Sequence, residues 1–134
     1  MSLEIVPFFF TDQSKFQKAR AIRQKVFIEE QKGEERDEFD EFEESSSHYL
    51  MSLNNKAIGT ARWRQIGSVV KLERFAVLEE YRGKKYGDQL LQRVISDAKK
   101  RQLPLYLHAQ IKAIPFYARR GFEKVGEMFS ECDI

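Results

Sequence analysis

Hydrophobic positions along the chain recur at two spacings, and the change between them predicts most of the secondary structure. A run rich in Val and Phe at residues 4–10 predicts a first strand. Thr11 and Asp12 then supply an N-cap for a helix over residues 12–30. Apolar residues recur at helical spacing through that helix, and they predict its buried face: Phe16, Ala19, Ile22, Val26 and Phe27.

The middle of the chain predicts three consecutive strands joined by tight turns. Residues 48–53 form the first strand, and Asn54–Asn55 is a turn that tolerates positive φ. In residues 56–65 the type of side chain alternates from one position to the next, which predicts a second strand that pairs with the first in a hairpin. A second turn at residues 66–68 leads into the third strand, residues 69–77. The three strands therefore follow one another in meander order.

The last third of the chain alternates helix and strand. A stripe of Leu, Val, Ile and Ala predicts a helix from residue 87 or 88 to about residue 101. Residues 105–109 read as a short buried strand, which should run parallel to the preceding strand because a helix separates the two. A further helix over residues 112–120 and a strand over residues 122–129 complete the pattern. We expect a single α/β domain, residues 1–134, with a mixed sheet.

Composition excludes several classes of protein. Hydrophobic residues make up 42% and charged residues 33%, the balance of a globular protein. A single Cys132 cannot form an internal disulfide and no apolar run approaches the length of a membrane span, so we expect a cytoplasmic protein without a membrane partner. Two His and one Cys lie without zinc spacing, so no metal site is predicted. Walker, dinucleotide and hydrolase motifs are missing from the sequence.

Charge is divided unevenly along the chain. Residues 29–44 hold ten of the 21 acids and two bases, which leaves 21 bases and 11 acids, a net charge of +10, on the remainder. This distribution suits an anionic ligand on the basic body and a cationic one near the acidic run. The plainer interpretation of the acidic run is a solvated loop or helix face. The basic body lacks the aromatic-interleaved runs and helix motifs of nucleic-acid-binding proteins, so no nucleic-acid partner is expected.

The loop after the third strand of the meander carries the strongest chemical signal. It reads Arg82-Gly83-Lys84-Lys85-Tyr86-Gly87 and leads directly into a helix. The first N–H groups of a helix have no internal partner and the helix dipole favours negative charge there, so the segment predicts an anion site. Arg82, Lys84 and Lys85 add positive charge. The alternative is an ordinary strand-to-helix turn with solvated charges.

Residues 72–91 resemble the first core motif of the GNAT-type N-acetyltransferases. The loop pattern of that family is (Gln/Arg)-x-x-Gly-x-(Gly/Ala), which Arg82 and Gly87 match, whereas Lys85 stands where the first Gly is usual. Two accommodations of Lys85 are open. Either its backbone takes a right-handed helical turn, or the loop shifts slightly and the ammonium group helps to hold phosphate.

Residues 107–122 resemble the second core motif. The stretch QIKAIPFYARRGF follows the family pattern of Asn, Ala, aromatic-Tyr and Gly-Phe, with Gln110 in place of Asn. The chain is most similar to the small bacterial ElaA/YjcF-like branch, through KLERFAVLEEYRGKKYG, LHAQIKAIPFYARRGF, RQKVFIEEQ and the ending FSECDI. The resemblance implies an α/β (α+β) fold: a GNAT-like, mostly antiparallel mixed sheet with a splayed parallel strand pair and helices on both faces.

The same resemblance implies acetyl-CoA as the cosubstrate, with its pyrophosphate on the loop and its pantetheine arm along the edge of residues 75–77. Clustered N–H donors suit the pyrophosphate, and the strand edge suits the amides of pantetheine. The cofactor-binding positions that it implies are Phe75, Ala76, Val77, Arg82, Gly83, Lys84, Lys85, Tyr86, Gly87, Asp88, Gln110 and Phe116.

The implied reaction is the direct attack of a primary amine of a small molecule on the thioester, in a ternary complex. Tyr117 occupies the position of the general acid of the family, and the pKa of a phenol lies near that of a thiol. Glu73 is the first candidate base because it lies on the thioester-binding strand. His108, at the end of the other splayed strand, is the second. The alternative for Glu73 is an ion pair with a nearby arginine: Arg62, Arg64 or Arg74.

Four residues are assigned to the acceptor by family position alone: Arg23, Arg62, Trp63 and His108. The acidic run would attract a polyamine, an aminoglycoside-like cation or a basic peptide terminus, and amino sugars stay open. The rival hypothesis is an acyl-CoA-binding regulatory module without turnover; the presence of both Tyr117 and Glu73 favours the enzyme. A homodimer is compatible with the sequence. Members of this branch often continue beyond the equivalent of Ile134, so the last strand and a dimer built on it are left open.

Overall fold

The computed structural model of the protein describes residues 2–30, 42–108, 114–119 and 121–122. Within these ranges five strands form one sheet in the order β1-β2-β3-β4-β5. The first four are antiparallel neighbours and β5 runs parallel to β4, so the sheet is mixed and mostly antiparallel, as predicted. The strands are β1 (Leu3–Phe8), β2 (Ser47–Leu53), β3 (Lys56–Ile66), β4 (Val69–Val77) and β5 (Leu105–Tyr106).

The helices of the described residues are α1 (Gln13–Arg23), α2 (Tyr86–Ala98) and α3 (Ile114–Ala118). Asp12 caps α1 as predicted, because its Oδ1 accepts the backbone N–H of Lys15 at 3.2 Å. No helix among the described residues is long and apolar enough to cross a bilayer. Short 3₁₀ turns lie at Glu79–Tyr81 and Lys99–Arg101.

Several predicted boundaries differ from the observed ones. The predicted helix over residues 12–30 is α-helical only to Arg23, and Gln24–Glu30 forms a π-helix, a change of winding that apolar spacing does not reveal. The first strand ends at Phe8, and the described part of the second parallel strand is limited to Leu105–Tyr106. The predicted strand over residues 122–129 lies outside the described residues, apart from Phe122.

The sheet separates two hydrophobic clusters. On one face α2 packs over β3 and β4, where the buried side chains include Trp63, Leu72, Leu90, Leu91 and Val94. On the other face α1 packs against the sheet, and the buried side chains there include Phe16, Ile22, Phe27, Leu50 and Ala76. Helices on both faces of the sheet confirm the predicted architecture.

An irregularity in β4 changes which face its side chains occupy. Thr60 pairs with Ala76 and Arg62 with Glu73, so β4 contains one more residue than β3 between these pairs. Arg74 lies in that bulge with φ 58°, a left-handed conformation that is uncommon for a residue other than Gly. Because side chains alternate along a strand, the extra residue moves Phe75 to the α2 face, opposite to Glu73.

Beyond the bulge, the structure records no pairing of β4 with β5. The two strands pair at Val70 with Leu105 and at Lys71 with Tyr106 in the described part of the chain. Past these positions β4 continues to pair with β3 through Gly59 and Val77. For residues 75–77, no backbone pairing on the β5 side is recorded within the described part of the chain.

Replacement of Leu91 by Ala tests the attachment of α2 to the sheet. Leu91 is fully buried, so we expect the free energy of unfolding, measured by urea denaturation, to fall by about 2–5 kcal/mol. Ser96→Ala, on the exposed side of the same helix, should change it by less than ~0.5 kcal/mol. Equal losses in the two variants would contradict the packing described above.

Candidate active site

A cavity of about 970 Å³ opens where the end of β4, the following loop, α2 and α3 meet. Tyr117 lines it together with most of the predicted cofactor-binding residues. Two predicted positions, Lys84 and Tyr86, do not line it, and Gln110 lies outside the described residues. The predicted positions that line the cavity are Phe75, Ala76, Val77, Arg82, Gly83, Lys85, Gly87, Asp88 and Phe116.

The loop folds back on the strand that precedes it. The Nε of Arg82 donates a hydrogen bond to the carbonyl oxygen of Val77 at 2.9 Å, so this guanidinium joins the loop to the end of β4. Gly83 has φ 78°, a conformation that Gly adopts without strain. These two residues turn the chain within a few positions from strand to helix.

Lys85 is the N-cap of α2 and has φ 67° and ψ 13°. The right-handed turn that the sequence left open at this position is therefore wrong: the residue adopts a left-handed conformation that Gly adopts readily. For a residue with a Cβ atom this conformation costs roughly 1–2 kcal/mol. The loop thus keeps the backbone shape that a Gly would give it, with a cationic side chain added.

The first turn of α2 lies at the cavity, because Gly87 and Asp88 belong to its lining. The N–H of Gln89 donates to the carbonyl oxygen of Lys85 at 3.1 Å and begins the helical ladder, so the N–H groups of residues 86–88 precede it. At Gly87 a Cβ atom would lie 3.7 Å from Val77 Cγ2 and 3.8 Å from Phe116 Cζ, which are ordinary contacts. An Ala would fit there, in agreement with the Gly/Ala position of the motif.

Tyr117 reaches the cavity from α3 and is 4% exposed. Its ring lies in edge-to-face contact with three neighbours, with centroid distances of 6.3 Å to Phe75, 5.1 Å to Phe116 and 6.2 Å to Phe122. Burial raises the pKa of the Tyr117 phenol above its ordinary value. The hydroxyl is therefore protonated at neutral pH and can donate.

Glu73 lies in a cluster of cations on the α1 face and does not line the cavity. Its Oε2 accepts the Nε of Arg62 at 2.7 Å, and its Oε1 lies 3.2 Å from both Arg64 Nε and Lys71 Nζ. Burial alone would raise the pKa of Glu73, but these positive charges outweigh it and hold the pKa below the usual value. The geometry corresponds to the predicted alternative, an ion pair with Arg62 or Arg64.

Two residues assigned to the acceptor, Arg23 and Arg62, belong to the same ionic cluster. Both are buried, and both contact Glu43: Arg23 Nη2 lies 2.8 Å from its Oε2, and Arg62 Nη1 lies 2.9 Å from its Oε1. The cluster therefore runs from Arg23 of α1 through Glu43 and Arg62 to Glu73 of β4, with arginines and acids alternating. The sequence did not single out Glu43, because a carboxylate inside an acidic run gives no sign that it is buried.

The other two acceptor assignments occupy separate places. Trp63 points to the face opposite Arg62, where its Nε1 donates to Tyr49 Oη at 3.0 Å within the core. His108 follows β5, half-buried, with its ring centroid 5.8 Å from that of Tyr106. The structure therefore does not bring Arg62, Trp63 and His108 together on one surface.

Arg119 lines the cavity although the motifs did not single it out. It lies three positions after Phe116, and residues three apart share one face of a helix. The spacing from Phe116 could therefore have indicated from the sequence that Arg119 lies at the cavity. Within the described residues no group of three or more His, Cys, Asp or Glu side chains could hold a metal ion.

Comparison with known proteins agrees with this geometry. Residues 16–122 match the Acetyltransferase (GNAT) family. The chain is 37% identical over 128 residues to the uncharacterized protein YyaT of Bacillus subtilis (strain 168), with 92% of this chain and 86% of YyaT covered. The uncharacterized N-acetyltransferase YjcF of the same organism is 32% identical over 109 residues, 79% of this chain and 76% of YjcF. The chain belongs to the GNAT family and is an acyltransferase.

Solved structures share this fold. Escherichia coli ElaA superimposes with a TM-score of 0.89 at 25% identity, over 97% of this chain and 93% of ElaA. An acyl-CoA N-acyltransferase from Pseudomonas aeruginosa has the same fold, with a TM-score of 0.88 at 24% identity over 98% of this chain and 96% of that protein. The predicted similarity to small bacterial ElaA/YjcF-like proteins is confirmed.

The ionic cluster predicts how stability depends on pH. Because the folded-state pKa of Glu73 lies below its ordinary value of 4.5, its contribution is present above about pH 4.5 and is lost as the pH falls through the folded-state pKa. Glu73→Gln should lower the free energy of unfolding at pH 7 by about 3–5 kcal/mol and flatten its fall below pH 4.5. Urea denaturation across pH 3–7 measures both effects.

Glu80→Gln is the matched control for that experiment, because Glu80 is an exposed Glu close to the same strand. It should leave the curve of stability against pH almost unchanged. A Glu73→Gln protein with the stability and pH dependence of the parent would show that the ion pairs of Glu73 contribute nothing.

Proposed function

We propose that the protein transfers the acetyl group of acetyl-CoA to a primary amine of a small molecule, by direct attack of the amine within a ternary complex. The observation that carries this proposal is one cavity lined by a cationic helix N-terminus, by residues 75–77 at the end of β4 and by Tyr117. Membership of the acetyltransferase family supports it.

The parts of the cavity fit the parts of acetyl-CoA. The loop at residues 82–88 offers N–H groups and positive charge to the pyrophosphate. The edge of residues 75–77 offers backbone groups to the amides of the pantetheine arm. When bound, the cosubstrate supplies an activated acetyl thioester. The aromatic contacts of Tyr117 with Phe75 and Phe116 would keep water from the reacting end.

Tyr117 is the proposed general acid. During transfer a C–N bond forms to the amine, the C–S bond breaks, and the departing thiolate requires a proton. Burial keeps the Tyr117 hydroxyl protonated, and the ring contacts fix its position. Its hydroxyl can therefore donate to the sulfur as negative charge develops there.

His108 is our proposed base, in preference to Glu73. An acceptor amine reaches the site mostly as ammonium and must lose a proton before attack. The Glu73 carboxylate already accepts from Arg62 and Arg64, and its lowered pKa makes it a weaker base. His108 is half-buried after β5, and an imidazole side chain can accept a proton from the ammonium group through water.

Turnover with an amine panel tests the proposed reaction and separates it from the regulatory alternative. Purified protein is mixed with acetyl-CoA and a polyamine, an aminoglycoside, a basic peptide or an amino sugar, and free thiol is measured. We expect a rise in Tm with CoA and amine-dependent thiol release with at least one acceptor class. CoA binding without release across the panel would favour a regulatory module. No rise in Tm at millimolar CoA would exclude the cosubstrate.

Tyr117→Phe tests the general acid. The ring packing stays, so we expect kcat to fall by about 10²-fold while the Kd for CoA changes by less than about twofold. Tyr81→Phe is the control, since Tyr81 is a partly buried Tyr that does not line the cavity, and its kcat should stay that of the parent. Unchanged kcat in Tyr117→Phe would remove the phenol from the mechanism.

A further inference from the structure

The cavity contains cations whose charge no described residue balances. Among the described residues, the side chains of Lys85 and Arg119 make no ion pair or hydrogen bond, although both line the cavity. Arg82 differs, because its Nε is bound to the carbonyl oxygen of Val77. Asp88 is the one acid among the described lining residues, and Gln92 Nε2 donates to its Oδ2 at 3.0 Å. The wall thus carries a net positive charge.

Of the cations that line the cavity, Lys85 has an unfavourable backbone conformation. It holds φ 67° and ψ 13°, where Gly would be unstrained and where the family motif usually has Gly. Gly83 and Gly121, two other positions with positive φ near the site, are glycines, whereas Arg74 in the bulge of β4 is not. The Lys85 side chain is exposed and has no recorded partner among the described residues, so its ammonium group is available to a ligand in the cavity.

We propose that the Lys85 ammonium group is a ligand of the CoA pyrophosphate, which gives this chain a charge-assisted contact that the usual Gly cannot supply. The inference rests on the proposed function. Lys85 precedes the N–H groups of residues 86–88, so its ammonium and those donors can address the same anion. The left-handed backbone keeps these N–H groups in place while the side chain adds a charge.

Two substitutions separate the charge from the strain. Lys85→Gly removes both, so we expect the Tm of the unliganded protein to rise by about 3 °C while the Kd for CoA rises by about tenfold. Lys85→Ala removes the charge and keeps the strain, so the Kd should rise equally with little change in Tm. If Lys85 is strained and also binds CoA, Lys85→Gly should make the protein more stable and its binding of CoA weaker.

Gln102 provides a matched control. It is an exposed residue with φ 58° and ψ 35° at the end of the 3₁₀ turn after α2, and it does not line the cavity. Gln102→Gly should raise the Tm by a similar amount and leave the Kd for CoA unchanged. The comparison shows whether relief of strain by itself alters binding.

Ligands with fewer phosphates identify the group that Lys85 binds. Binding is measured by calorimetry with CoA, dephospho-CoA and pantetheine at low and high salt. The Kd ratio of Lys85→Ala to the parent should be about tenfold for CoA and for dephospho-CoA, near one for pantetheine, and smaller at high salt. A ratio near one for dephospho-CoA would overturn the pyrophosphate assignment in favour of the 3′-phosphate.

The outcomes for this inference and for the proposed function are distinct. A parent protein that does not bind CoA at millimolar concentration would remove the proposed function. A parent protein that binds CoA, with Lys85→Gly and Lys85→Ala binding it equally well, would leave the proposed function in place and overturn only the role of Lys85.

Discussion

The extra residue in β4 at Arg74 is the constraint on which the site depends. Before it, β4 is paired on both sides and its charged side chains face α1. After it, the alternation is reversed, so Phe75 faces the cavity while Glu73 remains among the cations. One inserted residue thus divides a nine-residue strand into an ionic half and a half that lines the cavity. It also follows the last recorded pairing with β5.

In the ionic half, each buried charge is compensated by a neighbour of opposite sign. Arg23, Glu43, Arg62 and Glu73 follow one another through space, and each contact lies within hydrogen-bonding distance. Burial of charge is unfavourable unless such partners compensate it, which makes every member depend on the others. The cluster links α1 and the chain before β2 to the strand that borders the cavity. Glu73 therefore supports the site structurally from the opposite face of the sheet.

The location of the site could be predicted from sequence because its main parts are local. Residues 75–88 form a strand end, a loop and a helix start, and each is recognisable from apolar runs, Gly and charge. The reversal of faces at Arg74 could not be predicted, since residues 69–77 read as an uninterrupted strand. The left-handed backbone of Lys85 could not be predicted from its residue type, because Lys does not favour that conformation as Gly does. The choice between base and ion pair for Glu73 depends on residues of β3, which only the folded sheet places beside it.

The short pairing of β5 has a consequence for the order in which the protein folds. Strands β2 to β4 are antiparallel neighbours joined by tight turns, so the contacts among these three strands are local in sequence. The β4–β5 contact closes a loop of chain that contains α2, because the helix lies between the two strands in the sequence. Contacts between distant segments form late, and sparsely paired elements open at a lower free energy than the whole domain. We therefore expect the sparsely paired end of the sheet at β5 to form later, and to open at a lower free energy, than the hairpins of β2 to β4.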